Sequence, residues 1–368
     1  MPTVTELSKK EQLYELIRAN PFISQQDLAT ELGLSRSAVA GYIATLVRER
    51  RLLGRAYVLP DNRPILCVGA ANLDRKLRAE GTLAMGTSNP ASGVESFGGV
   101  ARNIAENLAR MGAAVSLITA VGNDSSGRAL LAHADSVGID TRGAFKLDDA
   151  GSGTYTAVLD GDGQMVVALA DMALYDRITP AFLDTRQQQR TGASLIVADL
   201  NLTHDAIATL QLGAARDGVS LILVAVSEPK MNRLPASLAG VRLLILNEGE
   251  LAARVGRALE GEADLAAACR EVQAQGAEDV VVTLGARGVL FTVPGGAERL
   301  DAPPAEVVDV TGAGDAFAAA LVLSLHSGGG DLALACRRGL QLSAMTVECR
   351  QTVCPQLAPD TFGALIQE

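Results

Sequence analysis

Apolar and polar positions change rhythm along this chain. Over residues 8–50 the apolar residues fall on helical spacing in three short groups. Leu13, Leu16 and Ile17 form one stripe, Leu28 and Leu32 a second, and Val39, Ile43, Leu46 and Val47 a third. Ser8, Ser24 and Ser35 stand where helix N-caps are needed. Asn20-Pro21 stops the first helix, and Gly33 supplies the tight turn after the second. Leu52–Leu59 then alternates like a short β-ribbon. Three helices followed by a ribbon is the order of a winged helix-turn-helix domain, expected over residues 1–60.

Pro60-Asp61-Asn62-Arg63-Pro64 reads as a linker. From Ile65–Gly69, an apolar run ending in the loop Gly69–Asp74, strand-like and helix-like stretches alternate to the end. Leu195–Ala198, Leu221–Val226, Leu243–Leu246 and Val280–Thr283 read as buried strands, with helices such as Thr203–Arg216 and Ala263–Gln275 between them. The pattern predicts an α/β domain over residues 65–368, doubly wound around a mostly parallel sheet. Thr154–Leu159, the turn Asp160-Gly161-Asp162-Gly163 and Met165–Leu169 break the alternation as a β-hairpin, a small lid over residues 154–169.

Composition sharpens this. Hydrophobic residues make up 48% of the chain and aromatics only 3%, with no Trp, so Leu, Val, Ile and Ala must fill the core. A net charge of −10 argues against nucleic-acid binding by the chain as a whole. Arg36, Arg48, Arg50, Arg51 and Arg55 nevertheless cluster against one acid, Glu49, which allows DNA contact through residues 1–60; solvated arginines on a packing module are the alternative. The five cysteines form no CxxC pair and read as buried or neutral thiols in a reducing compartment. No membrane segment is expected, and the location read from these features is cytoplasmic.

The chemistry concentrates in Asp309-Val310-Thr311-Gly312-Ala313-Gly314-Asp315-Ala316-Phe317. A glycine turn opening a helix lets backbone amides hold developing negative charge, here those of Gly312, Ala313 and Gly314. A carboxylate on the first turn, Asp315, can take a proton from an attacking hydroxyl. An N-cap Asp after a glycine turn would look the same. This string resembles the hallmark of ribokinase-like (PfkB) carbohydrate kinases. Gly98-Gly99-Val100-Ala101-Arg102-Asn103, leading into a helix that ends near Met111-Gly112, is similar to the family's second signature.

The resemblance covers residues 65 to about 360 and implies an ATP-dependent kinase acting with Mg2+. It implies that Asn72, Asp74, Gly98, Gly99 and Asn103 line the sugar site. Asn247-Glu248-Gly249-Glu250 is similar to an Asn-x-x-Glu motif, which implies Asn247 near the nucleotide and Glu250 placing magnesium through water. Thr283, Gly285 and Gly288 match a nucleotide-binding turn. The resemblance also implies a monovalent cation, K+, near Asp309 and Thr311 and a loop within Thr346–Cys354, and a homodimer paired through the lids. Within the family the chain is most similar to pseudouridine kinases, through Thr87-Ser88-Asn89-Pro90, Thr154-Tyr155, Ala170-Asp171-Met172 and Asp199-Leu200-Asn201-Leu202. That places Ser88, Asn89, Tyr155, Asp171 and Asn201 among the substrate residues and makes pseudouridine the expected acceptor. Another nucleoside or a free sugar, or a DNA-binding regulator sensing such a ligand, are the alternatives. Phe97, where Pro is usual, and Val224-Ala225, in place of Asp-Pro, depart from the pattern.

Overall fold

The computed structural model describes residues 8–20, 23–52, 63–327 and 330–365. Three helices, Lys9–Ala19, Gln25–Leu32 and Arg36–Arg48, open the chain, and Ser8, Ser24 and Ser35 each accept a first-turn amide as N-caps. Gly33 ends the second helix in the left-handed conformation, at φ 63°. Leu13, Ile17, Leu28, Leu32, Val39, Leu46 and Leu52 close a small core of their own. Val47 does not join it and is 41% exposed, because the third helix turns that position to solvent. Apart from Leu52, the ribbon expected over Leu52–Leu59 lies outside the described residues.

The large unit is built on a nine-stranded sheet. In spatial order its strands are Gly296–Leu300, Val289–Val293, Asp279–Thr283, Val241–Asn247, Ser220–Val224, Leu195–Asp199, Ile65–Val68, Val115–Ile118 and Ile139–Asp140. All neighbours run parallel except the two pairs at the Gly296–Leu300 edge. The expected doubly wound, mostly parallel α/β sheet is therefore present. Period-two alternation divides the strands between two cores. Leu66, Val68, Ile196, Ala198, Leu221 and Leu223 face one layer of helices, while Ile65, Cys67, Leu195, Val197, Ile222 and Val224 face the other.

The lid is larger than the sequence suggests. The hairpin Thr154–Leu159 and Met165–Asp171 is half of a four-stranded sheet completed by Asn72–Ala79 and Ala91–Gly98. The first strand of the main sheet thus ends at Val68, and Asp74 lies on a lid strand. The first added strand carries Asp74, Arg75, Lys76 and Arg78, the second is exposed over most of its length, and neither shows a regular apolar alternation. Among the described residues no helix is long and apolar enough to cross a membrane.

Candidate active site

The helix Ala313–Ser327 starts where the chain leaves the turn at Gly312. Gly312 has φ 85°, and a Cβ there would lie 2.0 Å from the Thr352 carbonyl oxygen, so only glycine fits. The first-turn amides of a helix have no intrahelical partner and suit an anion. Asp315, on that turn, is half-buried and accepts a 2.6 Å hydrogen bond from Asn103 Nδ2. Burial, aided by Asp199 and Asp74 and opposed by Asn103 and Arg102, pushes its carboxyl up to about 7. A carboxylate poised there can exchange a proton near neutral pH.

Asn103 reaches Asp315 from the helix Val100–Arg110. Gly99 at its start has φ 98°, and a Cβ would meet the Ala70 carbonyl oxygen at 2.4 Å; a Cβ on Gly98 would strike the Asp74 carboxylate at 2.2 Å. The glycine pair thus lets the helix start close to the first strand's loop and leaves space for Asp74. Asp199, wholly buried, fastens this junction by accepting from the amides of Ala70, Ala101 and Asn201 at 3.0, 2.9 and 2.8 Å. Arg102 is 2% exposed. Its guanidinium donates to Glu106, to the Phe97 carbonyl and to Asn103 Oδ1, which aims the Asn103 amide nitrogen at Asp315. Burial raises Glu106, but Arg102, Arg110 and His133 hold it below the usual carboxylate range. Phe97 stacks on His133 with ring centres 4.8 Å apart, so this departure from the family pattern is absorbed into the scaffold.

Asp74 accepts from Asn72 Nδ2 at 2.6 Å, and burial lifts its pKa against Asn72, Arg102 and Lys76. Asn72 is buried and bonded to Asp74, which makes it a support for Asp74. Tyr155 is the register partner of Asp74 and shares its face of the lid. Asp171 is exposed at the lid's last strand end. Three other expected substrate residues make no hydrogen bond to Asp315. Ser88 is exposed in the turn joining the two added lid strands. Asn89 closes that turn through Ala84 N, Ala84 O and Thr87 O at 2.8, 2.9 and 3.1 Å. Asn201 is buried and accepts from Lys230. A cavity of about 370 Å3, lined by residues including Leu73, Phe97 and Ser125, contains none of the expected site residues.

Farther along the same carboxyl edge, Asn247 and Thr283 are register partners at adjoining strand ends. Asn247 and Glu250 form a reciprocal capping box, with bonds of 2.9 and 2.7 Å. Burial raises Glu250, and Glu228 raises it further. A Cβ on Gly249 would lie 2.2 Å from a Glu228 carboxylate oxygen, so glycine admits Glu228 beside this helix start. Two carboxylates fit a hydrated Mg2+, which keeps most of its waters. Among the described residues no group of three or more His, Cys, Asp or Glu could hold a metal ion. Gly285 and Gly288, at φ 60° and 92°, form the tight turn after Thr283, and Arg287 donates to Glu248 across to the neighbouring helix.

Asp309 folds back on its own loop. Its Oδ1 accepts from Thr311 N at 2.9 Å and Thr311 Oγ1 at 2.6 Å, and its Oδ2 accepts from Lys76 of the lid. Burial pushes Asp309 up, yet Lys76 and Thr311 bring it below its usual value. The amides of Val308 and Asp309 bond to the Val347 carbonyl at 2.8 and 3.1 Å, and Thr352 abuts Gly312, so the late loop does lie against this turn. In the small unit Arg36 and Arg48 are exposed, while Arg51 grips Glu11 at 2.6 and 2.8 Å and covers the Tyr14 ring. Arg51 therefore belongs to internal packing, and the basic face is smaller than the sequence suggests.

The reading of single residues missed Arg102, Glu106, Asp199, Lys76 and Glu228. Arg102 stood inside a quoted motif; only a fully buried charge beside a candidate base distinguishes it.

A family model described as pfkB family carbohydrate kinase matches residues 62–358, and one described as winged helix-turn-helix DNA-binding matches residues 8–50. The chain is 32% identical to an uncharacterised sugar kinase, YeiI, of Escherichia coli K12, over 87% of this chain and 88% of that protein. It is 31% identical to the pseudouridine kinase of the same organism, over 82% of this chain and 96% of that protein. Arabidopsis thaliana ribokinase, solved with ribose and ATP, superposes with a TM-score of 0.74 over 83% of this chain and 99% of that one; at 21% identity it shows the shared fold.

Proposed function

The chain belongs to the pfkB family of carbohydrate kinases and is a phosphotransferase with an alcohol acceptor, and from that premise we propose that it phosphorylates the 5′-hydroxyl of a nucleoside, pseudouridine, using ATP and Mg2+. The observation that carries the reading is Asp315 on the first turn of a glycine-led helix, held by Asn103 Nδ2 at 2.6 Å. Asp315 takes the proton of the 5′-hydroxyl as its oxygen attacks the terminal phosphorus. The amides of Gly312, Ala313 and Gly314 face the charge that spreads over the transferring group. Asn103 holds Asp315 in orientation, and Asp74, Gly98 and Gly99 form the ribose side. Glu228 and Glu250 would hold magnesium through water; bound there, the ion neutralises phosphate charge. Thr283, Gly285 and Gly288 border the nucleotide, and K+ would sit by the Asp309–Thr311 turn. The lid excludes water from the site.

Pseudouridine is supported by the 31% identity to an E. coli pseudouridine kinase. Its base carries an N–H that uridine lacks, and leaving a buried partner of that N–H unpaired costs about 1–3 kcal/mol, roughly 5- to 150-fold in kcat/KM. The test is ATP consumption, side by side, with pseudouridine, uridine, cytidine, inosine, guanosine, adenosine, ribose and fructose. Pseudouridine is expected to lead, with uridine well behind. A preference for a purine nucleoside or a free sugar overturns the substrate and leaves the phosphotransferase standing.

Exposed Arg36 and Arg48 favour a second, compatible role: residues 1–60 bind duplex DNA. Full-length protein should shift duplex DNA at low salt, and Arg36→Ala and Arg48→Ala should each reduce the salt slope by about one. No shift at any salt concentration makes the unit a packing module. The separate cores fit a division into residues 1–60 and 65–368. Met165, Val166, Val167 and Leu169, exposed on the lid's last strand, fit a homodimer joined through the lids. Buried thiols whose pKa values are raised, such as Cys67 and Cys336, fit a cytoplasmic setting.

A further inference from the structure

Lys76 lies on the lid strand Asn72–Ala79, two residues beyond Asp74 and so on the same face. Its neighbour Arg75 points the other way and pairs with Glu95 within the lid, at 2.7 Å. Lys76 leaves the lid. Its ammonium donates to Asp309 Oδ2 and, at 3.1 Å, to Thr311 Oγ1, joining residues far apart in sequence. Thr311 immediately precedes Gly312, where the anion-holding turn begins. An ammonium has three donors; two are engaged here, and among the described residues the third meets no acceptor. When Lys76 departs, Asp309 keeps the two donors that Thr311 supplies to its other oxygen, and its freed oxygen, in a half-buried side chain, can turn to water. The lysine can therefore leave for a more highly charged anion.

Resting on the kinase reading, we propose that Lys76 is the lid's catalytic contact to the transferring phosphoryl group, and that its ion pair with Asp309 is its resting position. In the step the acceptor oxygen forms its bond to phosphorus, the bond from phosphorus to the ADP oxygen breaks, and ADP leaves with that electron pair. The hydroxyl proton goes to Asp315. Lys76 stays charged throughout and moves no proton; it follows the charge on the terminal phosphoryl oxygens. The lid would then close fully only on a triphosphate, which ties water exclusion to the presence of a transferable group.

Binding separates this role from a structural one. The full-length chain is titrated with Mg2+ and either ADP or the β,γ-imido analogue of ATP, as wild type, Lys76→Met, Lys76→Arg and Arg75→Met. Lys76→Met is expected to weaken the triphosphate analogue about tenfold, the scale of one charge-assisted hydrogen bond, while ADP stays within about twofold. Lys76→Arg keeps the charge and should lose about threefold or less. Arg75→Met should change neither ligand. Equal weakening of both ligands in Lys76→Met, or no change in either, overturns the proposal and leaves the kinase reading intact. A wild-type chain that binds neither nucleotide overturns both. If Lys76→Met fails to fold, Lys76→Arg decides: analogue and ADP affinities that fall together contradict the assignment.

Discussion

The main sheet and the lid are both β-structure but obey opposite rules. Each inner strand of the main sheet is covered on both faces, so Leu195, Ile196, Val197 and Ala198 are all buried and the sheet holds its shape without ligand. The lid's last strand exposes Met165, Val166, Val167 and Leu169, and its sheet meets the rest of the molecule at its inner end, through contacts such as Phe97 on His133 and Lys76 to Asp309. Asp315 and its supports Asn103, Arg102 and Asp199 stand on the packed side, and Lys76 stands on the lid. On the proposed function, chemistry that needs fixed geometry sits on packed elements and water exclusion falls to the lid.

Truncation should separate the two regions most strongly. Leu223→Ala, in the middle of the main sheet and fully buried, is expected to cost about 2–5 kcal/mol in urea unfolding. Leu169→Ala, 64% exposed on the lid, should stay within about 0.5 kcal/mol. Equal losses would mean that the lid folds as part of the core.

A smaller effect is expected where the rigid side serves the chemistry. Arg102→Lys keeps a charge but cannot donate to Glu106, Phe97 and Asn103 together. Its kcat should fall about 10- to 100-fold, the scale of a lost bond to a charged group. The hydrogen bond from Asn103, which Arg102 aims, draws Asp315 downward, so the variant's kcat/KM should rise with pH at a higher midpoint than the wild type's. An unchanged midpoint would limit Arg102 to packing. Smallest in stability is Val167→Asp, on the exposed lid face. Its melting should match wild type at low concentration, while light scattering should show a shift from dimer to monomer.

The same contrast explains what could be read in the sequence. Strands covered on both faces announce themselves as apolar runs, and Leu195–Asp199 and Val241–Asn247 stand within a few residues of their expected bounds. Helix caps are local chemistry, and Ser8, Ser24 and Ser35 all act as read. The strands Asn72–Ala79 and Ala91–Gly98 carry no such signal: charged Asp74, Arg75, Lys76 and Arg78 interrupt the first, and the second, exposed over most of its length, reads as a loop. The Asn89 amide closes a turn, a use that its place before Pro90 also allows and that spacing alone does not separate from a substrate contact. The Asp315 turn was legible because glycine and carboxylate stand adjacent in the chain. Lys76 and Asp309, Arg102 and Asp315, and Glu228 and Gly249 meet only after folding, and no spacing rule connects them.

Asp315→Asn, followed for turnover and melting together, tests the account most directly. Folded Asp315 holds its proton up to about pH 7, whereas in the unfolded chain it ionises in the ordinary carboxylate range near 4. Between those values the folded state binds the extra proton, so this group's contribution to stability falls as pH rises, and the penalty is complete above pH 7. Removing the ionisable group should therefore raise the melting temperature relative to wild type at pH 8, with the gap narrowing towards pH 4. Turnover should drop about 10²- to 10⁴-fold while MgATP binding persists. A variant that melts at or below the wild-type temperature at pH 8 and turns over at the wild-type rate would contradict the assignment of Asp315 as the base of a phosphoryl transfer.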